Sequence, residues 1–304
     1  MMSKVAVVRF AGGLPGSDQY TVMLKSGLTA LSDGGGYAGL VRRLFPSGTV
    51  GMKASCLARQ NSTSPALAEA LAKILIEISG IKDNNIIVWE RTSRELKQAG
   101  YSLNAASIGG RCLGTDAADI GYSAEFFSSG KVSSMVSRIL TDLVDHNINL
   151  ALLKDHSLAG MSAGLKNMYG AIHNPNKFHA NNCDPFAADV NNLEPIKGKH
   201  RLTVIEAVSV QYENGPGFDG RHFDRYGGLI LSDDPVAADR VAQEILEHLR
   251  SKHGRPTLAD VNRPVKYLVS AQQAGLGTAE MRSINLVVRL IDAAGSEKAG
   301  ELLS

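Results

Sequence analysis

Ile148-Asn149-Leu150-Ala151-Leu152-Leu153 is a nearly unbroken apolar run, and Lys154-Asp155-His156 follow it directly. A short run that is apolar at both alternating positions suits a strand buried on both faces, the situation inside a parallel sheet. The carboxyl ends of such strands open onto the ligand crevice, so Lys154 and His156 are expected at a site. Working outward, residues 5–10, 50–54, 86–90, 202–208 and 229–232 read as further strands, and 284–291 as a last one.

Helical patterns alternate with these strands, which predicts an α/β fold with a mainly parallel central sheet flanked by helices. Ser64 caps a helix over 65–79, with Pro65 in its first turn and Leu67, Leu71, Ile74, Leu75 and Ile78 on one face. Asp234 and Pro235 repeat the device for 235–250, and a third helix is expected over 132–143. Pro264 to Gln273 and the breaker Ala274-Gly275-Leu276-Gly277 precede the last strand. Residues 11–46 and 174–200 show no clear period, and loops of that length are usually functional or mobile. The 304 residues fit one domain around one core, or two intimately joined lobes with a cleft and a boundary near 145.

With 44% hydrophobic and 20% charged residues, the chain has the material for a packed core. A formal charge of +2 without a Lys/Arg-rich run argues against nucleic acid as a partner, while a small anion remains suitable. No apolar run reaches the roughly 20 residues of a membrane-spanning helix. Cys56, Cys112 and Cys183 are odd in number and widely spaced, which argues against a disulfide framework or an iron-sulfur cluster bound by this chain alone. The first ten residues lack an export pattern, so the chain is expected in the cytoplasm, or outside it if a signal has been removed. Association into a homo-oligomer is compatible with this composition.

Chemistry concentrates after the central strand. Residues 157–170 are rich in small residues and contain Lys166 and Asn167, and His173, Asn174, His179, Asn181, Asn182, Cys183 and Asp184 follow. Lysines there can act as electrostatic clamps or Schiff-base formers, and histidines as proton carriers or metal ligands. Lys154, His156, Lys166 and His179 are the catalytic candidates; Lys53, Ser64, Asn167, His173, Asn181 and Asp239 are the ligand-binding ones. His173 and His179 with Cys183 could hold a divalent transition metal, although their spacing matches no closed ligand motif. Residues 173–183 are expected to close over the cleft, with Phe178 as an apolar anchor. The plainer reading is that each His or Asn singly caps a turn, that Ser64 is only an N-cap, and that the lysines are solvated. As a cluster beyond a strand end, the group points to function. No phosphate loop, nucleophile elbow or dinucleotide fingerprint occurs, which counts against nucleotide hydrolysis, serine esterase chemistry and nicotinamide binding.

Val50-Gly-Met-Lys53, Thr63-Ser64-Pro65, Lys154-Asp-His156-Ser-Leu-Ala-Gly, Leu165-Lys166-Asn167-Met-Tyr-Gly170, Asn174-Pro175 with Phe178-His179, Asp234-Pro235-Val-Ala-Ala-Asp239 and Gly275-Leu-Gly277 come in that order. In this arrangement the chain resembles the bacterial and archaeal family grouped as domain of unknown function 362. The resemblance implies no general activity; some members are fused to ferredoxin-type modules and many with this lysine-histidine element carry twin-arginine export signals. A fainter analogy, a lysine-bearing glycine-rich turn followed by a histidine, links it to nickel-pincer lactate racemases. Two functions follow as expectations. One is an enzyme acting on a small anionic or carbonyl-bearing molecule, metal-assisted or not. The other is a non-catalytic protein that binds a metal, cofactor or partner in the same cleft, in connection with redox or iron-sulfur systems.

Overall fold

The apolar run 148–153 forms the middle of an eleven-residue strand, His146–His156, in which ten residues are buried. The computed structural model describes residues 2–106 and 108–303. In chain order the strands are β1 (Ser3–Phe10), β2 (Val50–Lys53), β3 (Ile86–Glu90), β4 (Arg111–Gly114), β5 (Phe127–Ser129), β6 (Val132–Ser134), β7 (His146–His156), β8 (Gly160–Ser162), β9 (His200–Gln211), β10 (Phe223–Ser232), β11 (Ile284–Ile291) and β12 (Glu297–Ala299). The helices are α1 (Ser17–Leu31), α2 (Gly36–Leu44), α3 (Pro65–Ser79), α4 (Ser93–Gln98), α5 (Gly164–Asn167), α6 (Phe186–Asn191), α7 (Glu194–Lys199), α8 (Pro235–Lys252) and α9 (Tyr267–Gln273).

Ten strands form a single mixed, mostly parallel sheet in the order β12-β11-β1-β10-β9-β7-β2-β3-β4, with β8 folded back on β7. β9, β7, β2, β3 and β4 pair in parallel, and β10 is the reversed strand that separates them from the parallel pair β1 and β11. The chain leaves β2 in one direction through β3 and β4, and leaves β7 in the other through β9. The gap between β2 and β7 is therefore a topological switch point, where open sheets of this kind part at their carboxyl ends.

Two apolar layers cover the sheet. On one face α1, α2 and α3 bury Leu24, Leu28, Val41, Leu67, Leu71 and Ile74 against Ile148 and Leu150. On the other, α6, α8 and α9 bury Val190, Val241, Ile245 and Leu268 with Ala151 and Leu153. Each fully buried leucine or isoleucine contributes about 1.5–3 kcal/mol, so these two layers dominate stability. The apolar face predicted for α3 is the buried one, with Ile78 at its edge. Ser64 and Asp234 cap α3 and α8 as expected.

Three expectations about elements change. Residues 132–143 are not a helix: 132–134 pair with 127–129 as a hairpin, and only 139–143 coil, as one wide turn. Val132, Val136, Ile139 and Leu140 are all buried, but a strand followed by a turn brings them inward, and their helical spacing is coincidental. Residues 11–46 hold α1 and α2, the latter entered through Gly35 without a side-chain cap. Residues 174–200 hold α6 and α7 behind short 3-10 turns at 175–178 and 181–183.

Candidate functional site

The strand that carries Lys154 and His156 does not end before them. β7 continues through both and hairpins to β8, pairing Lys154 with Ser162 and His156 with Gly160. Both side chains are consequently set on rigid sheet backbone. Lys53 ends β2, and Glu90 ends β3, so the carboxyl ends of three adjacent strands deliver their charges to one cavity of about 130 Å³. Lys166 and Asn167 come from α5, and His179 from the turn beyond Phe178. With about 30 Å³ taken by each water molecule in the liquid, the cavity has room for roughly four.

Lys53 is fully engaged. Its ammonium lies 2.7 and 2.9 Å from the two oxygens of Glu90, and 2.9 Å from both the Ala54 carbonyl and Asn167 Oδ1. Asn167 donates back to the Lys53 carbonyl and to Asn149 Oδ1, so α5 is clipped to β2 and β7. Glu90 also accepts from the backbone N–H groups of Cys56 and Arg91. A Cβ on Gly170 would sit 2.5 Å from both Glu90 Oε1 and Lys53 Nζ, which explains a glycine three residues after Asn167.

Lys154 differs. Its ammonium is 1% exposed, faces the cavity and, among the described residues, takes a single hydrogen bond, donated to the Asn61 carbonyl at 3.1 Å. Burial lowers its pKa to about 8, with the charge of Glu90 opposing the shift and that of Lys53 adding to it. Lys166 is also lowered to about 8 by burial. Its ammonium stands 3.4 Å over the Tyr169 ring, an attraction to the negative face of the π system, and 2.9 Å from His179 Nε2. His179 Nδ1 lies 3.1 Å from the Pro175 carbonyl. A carbonyl only accepts, so Nδ1 carries the proton and Nε2 is free to accept from Lys166.

His156 is fixed in the opposite sense. The backbone N–H groups of Leu158 and Ala159 both donate to its Nδ1, at 3.1 and 3.2 Å, which therefore keeps its lone pair. The neutral ring must carry its proton on Nε2 and present it to the cavity. Burial, together with the charge on Lys166, depresses the His156 pKa to about 2, so the ring is a hydrogen-bond donor rather than a base. The His179 ring stacks on it with centroids 5.9 Å apart, and its pKa is lowered by burial and by Lys166.

The remaining candidates lie elsewhere. Ser64 sits on another cleft, and the anion at the start of α3 is the chain's own Glu206, which accepts from the Ser64 N–H at 2.7 Å and from the Tyr20 hydroxyl. That carboxylate fills the position a ligand would take. Ser64→Ala is accordingly expected to cost about 1 kcal/mol in a melting experiment, the worth of the lost cap. Asp239 does not face a cleft: it is 0% exposed and accepts from the N–H groups of Gly164 and Leu165, holding the start of α5. Gly164 is needed there, because a Cβ would meet Asp239 Oδ1 at 2.8 Å. Burial raises Asp239 to about 7.

His173 is exposed, with its ring edge-on to Tyr122, and Asn181 is exposed and donates to the Asp184 carbonyl. Cys183 is buried beside the Tyr169 phenol, and burial raises its pKa. The set His173, His179 and Cys183 is therefore not brought together, and among the described residues no three His, Cys, Asp or Glu side chains are placed to hold a metal. Residues 173–183 contribute Pro175, Asn176 and His179 as a cavity wall, with Phe178 buried behind it. Glu90 and Arg91 also line the cavity and were not among the sequence candidates; the only signal was a carboxylate at the end of a strand.

Among the described residues no helix is long and apolar enough to cross a membrane. No curated protein matches the chain. A crystal structure of a protein from Thermotoga maritima, from the Northeast Structural Genomics Consortium, aligns with a TM-score of 0.41 at 14% identity. The alignment covers 79% of this chain and 60% of that one, so the chain spans less than two thirds of that protein's length. A family model described as "Domain of unknown function (DUF362)" matches residues 50–244, more than half of the chain, and the chain belongs to that family.

Proposed function

We propose that the cavity between β2 and β7 binds a small anionic, carbonyl-bearing molecule and transfers a proton on it. The observation that carries this reading is the imbalance of charge: Lys53, Arg91, Lys154 and Lys166 line the cavity, and its two carboxylates, Glu90 and Glu95, are bonded to Lys53 and Arg91. Lys154 and Lys166 are buried ammonium groups that, among the described residues, no carboxylate contacts. A ligand carboxylate supplies that contact, and the Nε2–H of His156 adds a neutral donor. Lys166 and His179, 2.9 Å apart, then form the proton-exchanging pair, since His156 has no free lone pair to act as a base.

Anion binding should depend on pH through the two unpaired lysines, whose pKa values are lowered to about 8. Both are charged at pH 7, and each loses its proton as pH rises through 8. Titration calorimetry with oxalate at pH 7 and pH 9.5 should show affinity falling by at least roughly 30-fold, the loss expected from discharging one such group by 1.5 pH units. Equal affinity at the two values, or no binding at either, would remove the basis of the proposal. A protein that binds oxalate with this profile and turns over no oxo-acid would favour the second function, binding without catalysis.

A further inference from the structure

We infer that Lys154 is a nucleophile that forms an imine with the carbonyl carbon of a short 2-oxo acid, whose carboxylate is held by Lys166 and the His156 Nε2–H. This rests on the anion-binding reading above and names its substrate class. Three features single out Lys154. Every donor of Lys53 is committed to Glu90, Ala54 or Asn167. Lys166 is held between the Tyr169 ring and His179. Lys154 has neither a carboxylate nor a ring against it; its one bond, to the Asn61 carbonyl, consumes one N–H and orients the amine. Once deprotonated, it keeps that bond and its lone pair faces the cavity. Burial and a neighbouring ammonium, here Lys53, are the two means by which proteins hold a lysine ready for carbonyl chemistry.

The step balances without an outside oxidant or reductant. The Lys154 Nζ lone pair forms the C–N bond as the carbonyl π pair moves to oxygen, which takes a proton from the Lys166 ammonium. Nζ then gives up its two protons, one to the hydroxyl, which departs as water, and one back to Lys166, leaving the imine, so one amine and one carbonyl give one imine and one water. His179 Nε2, beside Lys166, relays the proton. The size of the cavity, about 130 Å³, favours acids of two to four carbons.

The test uses the full chain with glyoxylate, the smallest 2-oxo acid, and cyanoborohydride, which reduces the imine to a stable amine. Peptide mapping should place one carboxymethyl group on Lys154, introduced at least roughly tenfold faster than on exposed lysines, because the neutral fraction of an amine rises as its pKa falls. Oxalate, of similar size but unable to form an imine, should protect Lys154, and Lys154→Arg should abolish the fast labelling. Mapping the native chain keeps the result decisive even if that variant folds poorly. Stabilisation by oxalate without fast labelling of Lys154 overturns the imine and leaves the anion site standing. Absence of both effects overturns the two together.

Discussion

Lys154→Met should melt higher than the native protein at neutral pH while losing oxalate binding. Lys154 holds a charge at 1% exposure with one neutral acceptor, and its pKa is lowered by burial from 10.5 to about 8. A lysine whose folded pKa lies below its unfolded value binds fewer protons folded than unfolded between those two values, so stability rises with pH across that window. The cost is therefore fully present below pH 8 and gone near 10.5. Its size is up to about 3 kcal/mol, from the span between the two pKa values. Methionine fills the same space without the charge. Urea midpoints should place the variant above the native chain at pH 7, with the gap closing toward pH 10. A variant less stable than the native chain at pH 7 would mean that Lys154 is compensated by contacts other than the Asn61 carbonyl.

Glu90→Gln should be the most damaging single change in the cleft. The carboxylate receives Lys53 and two backbone N–H groups, and the ion pair is 2% and 6% exposed on its two sides. The amide keeps the volume but removes the charge, leaving Lys53 buried without a counter-ion. Breaking a buried pair from one side costs about 3–5 kcal/mol. The second substitution Lys53→Met should recover most of that loss, because the orphaned charge goes with it. Denaturant midpoints of the single and double variants check both statements. A single variant within error of the native chain, or a double variant no better than the single, would show that the pair is not the element that holds β2 to β3 and α5.

The fold was legible where burial on both faces leaves an unbroken apolar signature, as at Leu150 to Leu153, or where a cap and a proline mark a helix start, as at Ser64-Pro65 and Asp234-Pro235. It was illegible where tertiary packing sets the backbone. Nothing local separates the hairpin at 127–134 from a helix, because Val132, Val136, Ile139 and Leu140 keep a helical spacing. The lysines, Asn167 and the wall-forming His179 were readable because a strand end followed by small residues leaves little chain to carry them away. Glu90 was not, because its value lies in facing Lys53, 37 positions earlier. Ser64 and Asp239 looked available for a ligand because sequence shows neither Glu206 at the start of α3 nor α5 over Asp239. His156 was expected to carry protons, and only the direction of two loop N–H groups makes it a donor.

The bonds that seat the two innermost lysines join residues far apart along the chain: Lys53 reaches Asn167 across 114 positions, and Lys154 reaches Asn61 across 93. Such closures are among the slowest to form, since the entropy of a long loop is lost before any contact rewards it. During synthesis β2, α3 and β3 emerge before β7 and α5, so Lys53 can meet Glu90 early, but its bond to Asn167 and that of Lys154 to Asn61 must wait for the later elements. The charged cleft is thus withheld from the nascent chain and is completed in the same event that joins the sequence-distant halves of the sheet.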